Sequence, residues 1–213
     1  GPADIEAGLT TAIDIFIDHG ETDLVLEAAS QGIFGEPGWS PSPALAERAI
    51  EFIEDDSTIS SRLLTRLADT LWTDENRSHE SEPMFERALE LARDHDDFAA
   101  QIQNYRIHTQ FLVDGRQYER ALANCTAALN LQHHSPNSSN IPQLHMLAAA
   151  AQGSLGDTAG ALETLEMGLA SMTALGMESS RYHYAVAAIE FKRANFEEMI
   201  RHALELDRLK PTE

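Results

Sequence analysis

The sequence predicts an all-α protein of stacked helix hairpins, about eleven helices in all, and three observations carry that prediction. Apolar residues recur at three-and-four spacing almost throughout, while no stretch alternates apolar with polar over the length of a strand. A small residue followed by a larger aliphatic one returns at Ala49-Ile50, Ala88-Leu89, Ala128-Leu129, Gly168-Leu169 and Ala203-Leu204, the small residues standing 39, 40, 40 and 35 apart. Self-similarity at such a period marks an array in which each hairpin buries its face against the next. Asn76, Gly115, Gly156 and Asn195 fall in the turns of successive hairpins at intervals of 39, 41 and 39. Asparagine and glycine are the types that tolerate a left-handed backbone at a helix end.

The elements follow in order. Gly1-Pro2, with no methionine before it, reads as the remnant of a cleaved purification tag and is set aside. Residues 3–34 make an N-terminal hairpin, one helix from Ile5 to His19 stopped by Gly20 and a second from Asp23 to Phe34. The segment 35–43 concentrates proline and glycine around Trp39 and breaks the helical run, as a hinge or a long ordered loop. Residues 44–213 then read as one continuous array of repeats. Its helices span Pro43–Glu54, Ser57–Thr73 with Ser57 as cap, Glu82–Arg93, Phe98–Val113 and Arg116–Leu131, then Pro142–Ser154, Thr158–Leu175, Ser179–Arg193 and Phe196–Leu209.

Composition narrows the classes of activity. With 15 Lys and Arg against 35 Asp and Glu, the net charge of −20 opposes contact with nucleic-acid phosphates and with anionic membrane surfaces. No apolar run approaches the roughly 18 to 20 residues that a membrane-crossing helix needs. The one cysteine, Cys125, excludes an internal disulfide and fits a reducing, cytoplasmic setting. It lies between Ala121 and Ala128 on a packing face, the place of an inert buried thiol.

No motif for catalysis is present: there is no glycine-rich phosphate loop, no nucleophile elbow and no helical His-Glu-x-x-His. The pairs Asp55-Asp56 and Glu197-Glu198 stand at helix starts, where they stabilise the positive end of the helix dipole. His133-His134 and the cluster Asp94, His95, Asp96, Asp97 lack the converging ligand spacing of a metal site. His108 and His145 lie within first helices and read as core or groove histidines. The expectation is no enzyme, no metal and no cofactor.

The last repeat carries Tyr184, Ala187, Ala188 and Phe191 ahead of Asn195, the middle one Tyr105, His108, Thr109 and Leu112 ahead of Gly115, and Leu155-Gly156-Asp157 precedes Ala161-Leu162. In these residues the chain resembles the tetratricopeptide-repeat (TPR) family, with repeats longer than the usual ~34 residues. The resemblance implies a right-handed superhelical solenoid in which the first helix of each hairpin lines a concave groove. Carrying over the family's ligand-facing positions gives Arg62, Thr65, Asp69 and Trp72; Gln103, Arg106 and Gln110; Gln143 and Met146; and Tyr182, Ile189 and Lys192. Arg62, Arg106 and Lys192 would hold a carboxylate, with Trp72 and Tyr182 as flat anchors.

Ser61-Arg62-Leu63-Leu64-Thr65-Arg66-Leu67-Ala68 followed by Glu86-Arg87-Ala88-Leu89-Glu90-Leu91-Ala92-Arg93 is similar, more narrowly, to the helical-repeat region of large bacterial regulators that join a signal-transduction ATPase to a DNA-binding or cyclase domain. That implies a sensor or interaction arm whose partner is a protein or peptide, another domain of the same polypeptide or a second copy. The alternative is a self-association scaffold, in which a terminal repeat packs on its copy in another chain.

Overall fold

A computed structural model describes residues 2–21, 24–25, 47, 58–72 and 76–209. Among them stand nine bounded α-helices: α1 (Pro2–Asp18), α2 (Thr58–Trp72), α3 (Ser81–Asp94), α4 (Phe98–Asp114), α5 (Tyr118–Asn130), α6 (Asn140–Leu155), α7 (Thr158–Ala174), α8 (Ser180–Lys192) and α9 (Phe196–Arg208). No strand occurs among these residues. The expected helices at 23–34 and 43–54 and the loop at 35–43 lie outside them, except that Leu24, Val25 and Glu47 are helical. The chain divides into two compact units, Gly1–Ile107 and His108–Glu213.

Six connections close in the same way. The amide of Glu21 donates to Phe16, Asp97 to Ala92, Gln117 to Leu112, Asp157 to Gln152, Met177 to Met172 and Asn195 to Glu190, all at 2.8–2.9 Å. Each bond runs back five residues across one left-handed residue: Gly20, Asp96, Arg116, Gly156, Gly176 and Ala194. This closure satisfies carbonyls that the helix end leaves open and turns the chain sharply. Sequence therefore placed the turns correctly but misassigned two residues within them. The left-handed positions are Arg116 and Ala194, immediately after Gly115 and before Asn195.

In the first unit α2 packs on α3. Leu67 and Leu71, late in α2, meet Met84, early in α3, so the two run antiparallel. Arg77, ahead of α3, pairs with Glu80 and Glu47, which hold its guanidinium more firmly protonated than usual. In the second unit α5 packs on α6, α6 on α7, α7 on α8 and α8 on α9, and α8 also reaches α6. Two clusters fill the gaps. Leu112, Ala121 and Ala151 form one, with Phe111 and Leu122 against it. Ala149, Ala161, Leu165, Met172, Tyr182, Val186 and Ile189 form the other.

The recurring small residues explain how closely these helices approach. Ala88, Ala128 and Gly168 are all buried. A Cβ on Gly168 would stand 3.1 Å from His145 Cβ and 3.6 Å from the Pro142 carbonyl, so α6 lies almost on the α7 backbone there. The fifth small residue departs from the pattern, because Ala203 is exposed.

The closures give a stability test. Gly156, at φ +94° and with open space around its absent Cβ, should lose about 1 kcal/mol on Gly156→Ala through backbone strain alone. Ala194→Gly should move stability the other way by a smaller amount, because the unfolded glycine chain has more entropy to lose. Urea unfolding of the two variants should show opposite shifts in midpoint.

Candidate interaction surface

Arg62, Thr65, Asp69 and Trp72 are spaced three and four apart and so share one stripe of α2. Arg62 Nη2 donates to Asp97 Oδ2 at 2.8 Å, while Asp97 Oδ1 caps α4 by accepting from the Ala100 amide at 3.0 Å. One carboxylate thus fastens α2 to the start of α4, and Arg62 is a structural link with part of its side chain in solvent. Asp69 is held by Arg66 at 2.8 Å. Trp72 is half-buried at the last turn of α2, and Gln103 and Arg106 are half-buried on α4.

Thr65 is not a surface residue. It is 2% exposed, its hydroxyl donates to the Ser61 carbonyl at 2.9 Å, and it accepts from Asn104 Nδ2 at 2.9 Å. The same Asn104 amide group donates to the Phe85 carbonyl at 3.1 Å. Asn104, fully buried, therefore ties α2, α3 and α4 together. Nothing in the sequence distinguished it, because Gln101, Gln103 and Asn104 stand close together and their residue types do not tell that Gln101 and Asn104 are buried and Gln103 is not.

In the second unit Gln110 donates to both Asp114 oxygens at 3.0 and 3.1 Å, and Gln143 to the Ser139 carbonyl at 3.3 Å. All three bonds stay within one helix or its cap, so a ligand can displace them at low cost. Met146 packs half-buried against the core of α6, α7 and α8. Lys192 is exposed at the end of α8.

Tyr182 and Ile189 are corrected to core: they are 9% and 5% exposed and pack with Leu165 and Val186. The residues matched to the family's packing positions are displaced in turn, since Tyr184 is 70% and Phe191 62% exposed. The register of α8 is therefore two residues earlier than the aromatic pattern implied. Apolar residues encircle this helix (Tyr182, Tyr184, Val186, Ile189, Phe191), and an all-round apolar helix does not announce its inner face.

The buried titratable groups are structural. His108 and His145 are buried, as expected of core histidines, and burial holds His145 below the usual imidazole range. Cys125 Sγ donates to the Leu144 carbonyl at 3.4 Å, and burial pushes its thiol up to about 12, partly offset by a hydrogen bond with Thr109. A pair the sequence did not reveal joins α8 to α9, with His183 Nδ1 2.9 Å from His202 Nδ1. One nitrogen must accept, so at least one ring is neutral there. Burial, His183 and Arg201 together lower the pKa of His202.

Among the described residues, no group of three or more His, Cys, Asp or Glu side chains converges as a metal site, and no helix is long and apolar enough to cross a membrane. An open cavity of about 250 Å³ lies between the α5–α6 connection and the end of α7, lined by Gln132, His133, Pro136, Ile141 and Leu175. None of the residues that line it belongs to the expected groove.

No protein-family model matches the chain. No curated protein matches it. Among solved structures, a mutant form of MamA, a TPR-like protein, superposes with a TM-score of 0.55 and 15% sequence identity, covering 92% of this chain and 99% of its own. The fold is TPR-like. At that identity the likeness concerns the path of the chain alone.

Two solution tests follow from the buried groups. Cys125 should resist a thiol reagent near pH 8 in the native protein and react only on unfolding; rapid native labelling would contradict its burial. For the histidines, a folded pKa below the unfolded value of about 6.5 means that the unfolded chain takes up protons first as pH falls. The stability contribution is present above about 6.5 and lost below it. The urea midpoint should drop on acidification from pH ~7.5 to ~5.5, and less so in a His145→Gln, His202→Gln double variant.

Proposed function

We propose that the chain is a non-catalytic binding module that takes a protein or peptide partner along its first helices, as the sensor or interaction arm of a cytoplasmic bacterial regulator. The observation that carries this reading is the TPR-like fold, an architecture whose stacked hairpins present extended binding surfaces. Accessible polar and aromatic side chains on those helices support it. Trp72, Gln103 and Arg106 serve in the first unit; Gln110, Gln143 and Lys192 serve in the second. A partner carboxylate suits Arg106 or Lys192, and a flat or aliphatic side chain suits Trp72. The superhelical groove belongs to this proposal, as does the regulator context, which rests on the resemblance at Ser61–Ala68 and Glu86–Arg93. The charge of −20 turns the module toward proteins and away from nucleic acid and anionic membranes.

Combining Arg106→Glu with Trp72→Ala should leave the helical circular dichroism intact and abolish capture of the partner in a pull-down. Undiminished capture by a folded double variant would remove the first-helix surface from consideration. Self-association is the second reading, and one feature of α9 favours it.

A further inference from the structure

The turn closures set a register for the second helices. α5, α7 and α9 each begin two residues after a left-handed residue, at Tyr118, Thr158 and Phe196. Seven residues on stand Cys125, Leu165 and Ala203. Cys125 and Leu165 are 1% and 0% exposed, because α6 covers α5 and α8 covers α7. Four residues from the start stand Leu122, Leu162 and Ile200; the first two pack half-buried on the cores. On α9 the same face is open. Ala203 is exposed, and Phe196, Ile200 and Leu204 are 54%, 52% and 62% exposed. Phe191 extends the patch, its ring edge-on to Phe196 at 6.3 Å. An apolar stripe at helical spacing, covered on α5 and α7 at the positions of Ile200 and Ala203 and widened on α9 by Leu204 where Thr126 and Glu166 face solvent, is built for a helix partner.

We infer that a second copy of this chain covers it, α9 against α9 about a twofold axis with the two helices antiparallel. The face matches itself. Ile200 and Ala203 lie side by side, so the large residue of one copy fits over the small residue of the other. Glu197 and Arg208, both exposed, stand eleven residues apart, about three turns, on one flank of the stripe. An antiparallel pairing about a twofold brings the same flank of the two copies together, sets Glu197 of each copy near Arg208 of the other and opposes the helix dipoles favourably, whereas a parallel pairing leaves these flanks on opposite sides of the pair and makes no such contact. Arg208 now bonds Glu205 on its own helix, but at 75% side-chain exposure that bond exchanges cheaply. A basic peptide would satisfy the acidic end of the stripe and meet repulsion at Arg208. This inference does not rest on the first-helix reading, and either stands if the other fails.

Sedimentation velocity over a concentration series tests it. The protein should move from monomer to dimer as concentration rises, and Ile200→Glu or Leu204→Glu should hold it monomeric with helicity unchanged. Because a charge in the stripe disturbs packing as well, the flank supplies a second test that leaves the apolar face intact. Glu197→Arg and Arg208→Glu should each weaken dimerisation about tenfold, or roughly 1.4 kcal/mol, and the double reversal should restore it. A monomer at every concentration overturns the inference, as does a dimer indifferent to Ile200→Glu. Failure of the double reversal to restore pairing overturns the antiparallel arrangement.

Discussion

How near one helix can come to the next is the constraint on which the described structure depends. At Gly168 the approach is so close that even a methyl group would press on His145. Ala88 and Ala128 occupy equivalent buried positions forty residues apart. A small residue there lets two backbones meet, larger residues on either side then fill the flanking space, and each hairpin buries the face that it cannot bury alone. A small residue does not suffice by itself: on α9 Ala203, which the turn closures align with Cys125 and Leu165 rather than with Ala128 and Gly168, has no described neighbour over it, and its aliphatic companions stand in solvent.

Polar groups work within this frame as fasteners. Asn104 donates to Thr65 and to the Phe85 carbonyl, Asp97 joins Arg62 to the start of α4, and Cys125 reaches the Leu144 carbonyl. Each satisfies a group partly or wholly withdrawn from water, whose isolation would be costly, and each fixes one helix against another. On the first helices the polar groups outside these fasteners are held only by bonds along one helix, as Gln110 and Gln143 are, or stand open, as Lys192 does. This division, with the rigidity in the interior and the adaptable groups outside, is what the proposed binding surface requires.

Among the described residues, helices and turns were legible in the sequence to within about three residues, because both depend on local chemistry. Gly156 and Gly176 sit at left-handed closures as their residue type suggests. Arg116 and Ala194 do so without any such signal, since the five-residue hydrogen bond can hold a strained residue that no propensity would have chosen. The site was less legible. Thr65, Tyr182 and Ile189 looked like surface and are core. Tyr184 and Phe191 looked like core and are exposed. In α8 apolar side chains surround the helix, so the periodicity that names an inner face elsewhere is silent.

By itself the sequence determined the all-helical fold, the turns, the forty-residue recurrence and the acidic surface, because spacing, helix-breaking residues and charge act locally or additively. Only the tertiary structure decided which side of each helix faces inward. That choice turns on which neighbour arrives, and on whether a small residue such as Gly168 lets it approach. The tertiary structure also brought together groups distant in the chain, His183 with His202 and Asn104 with Thr65. It likewise exposed the stripe on α9, since a helix cannot register in its own sequence that nothing described lies across it.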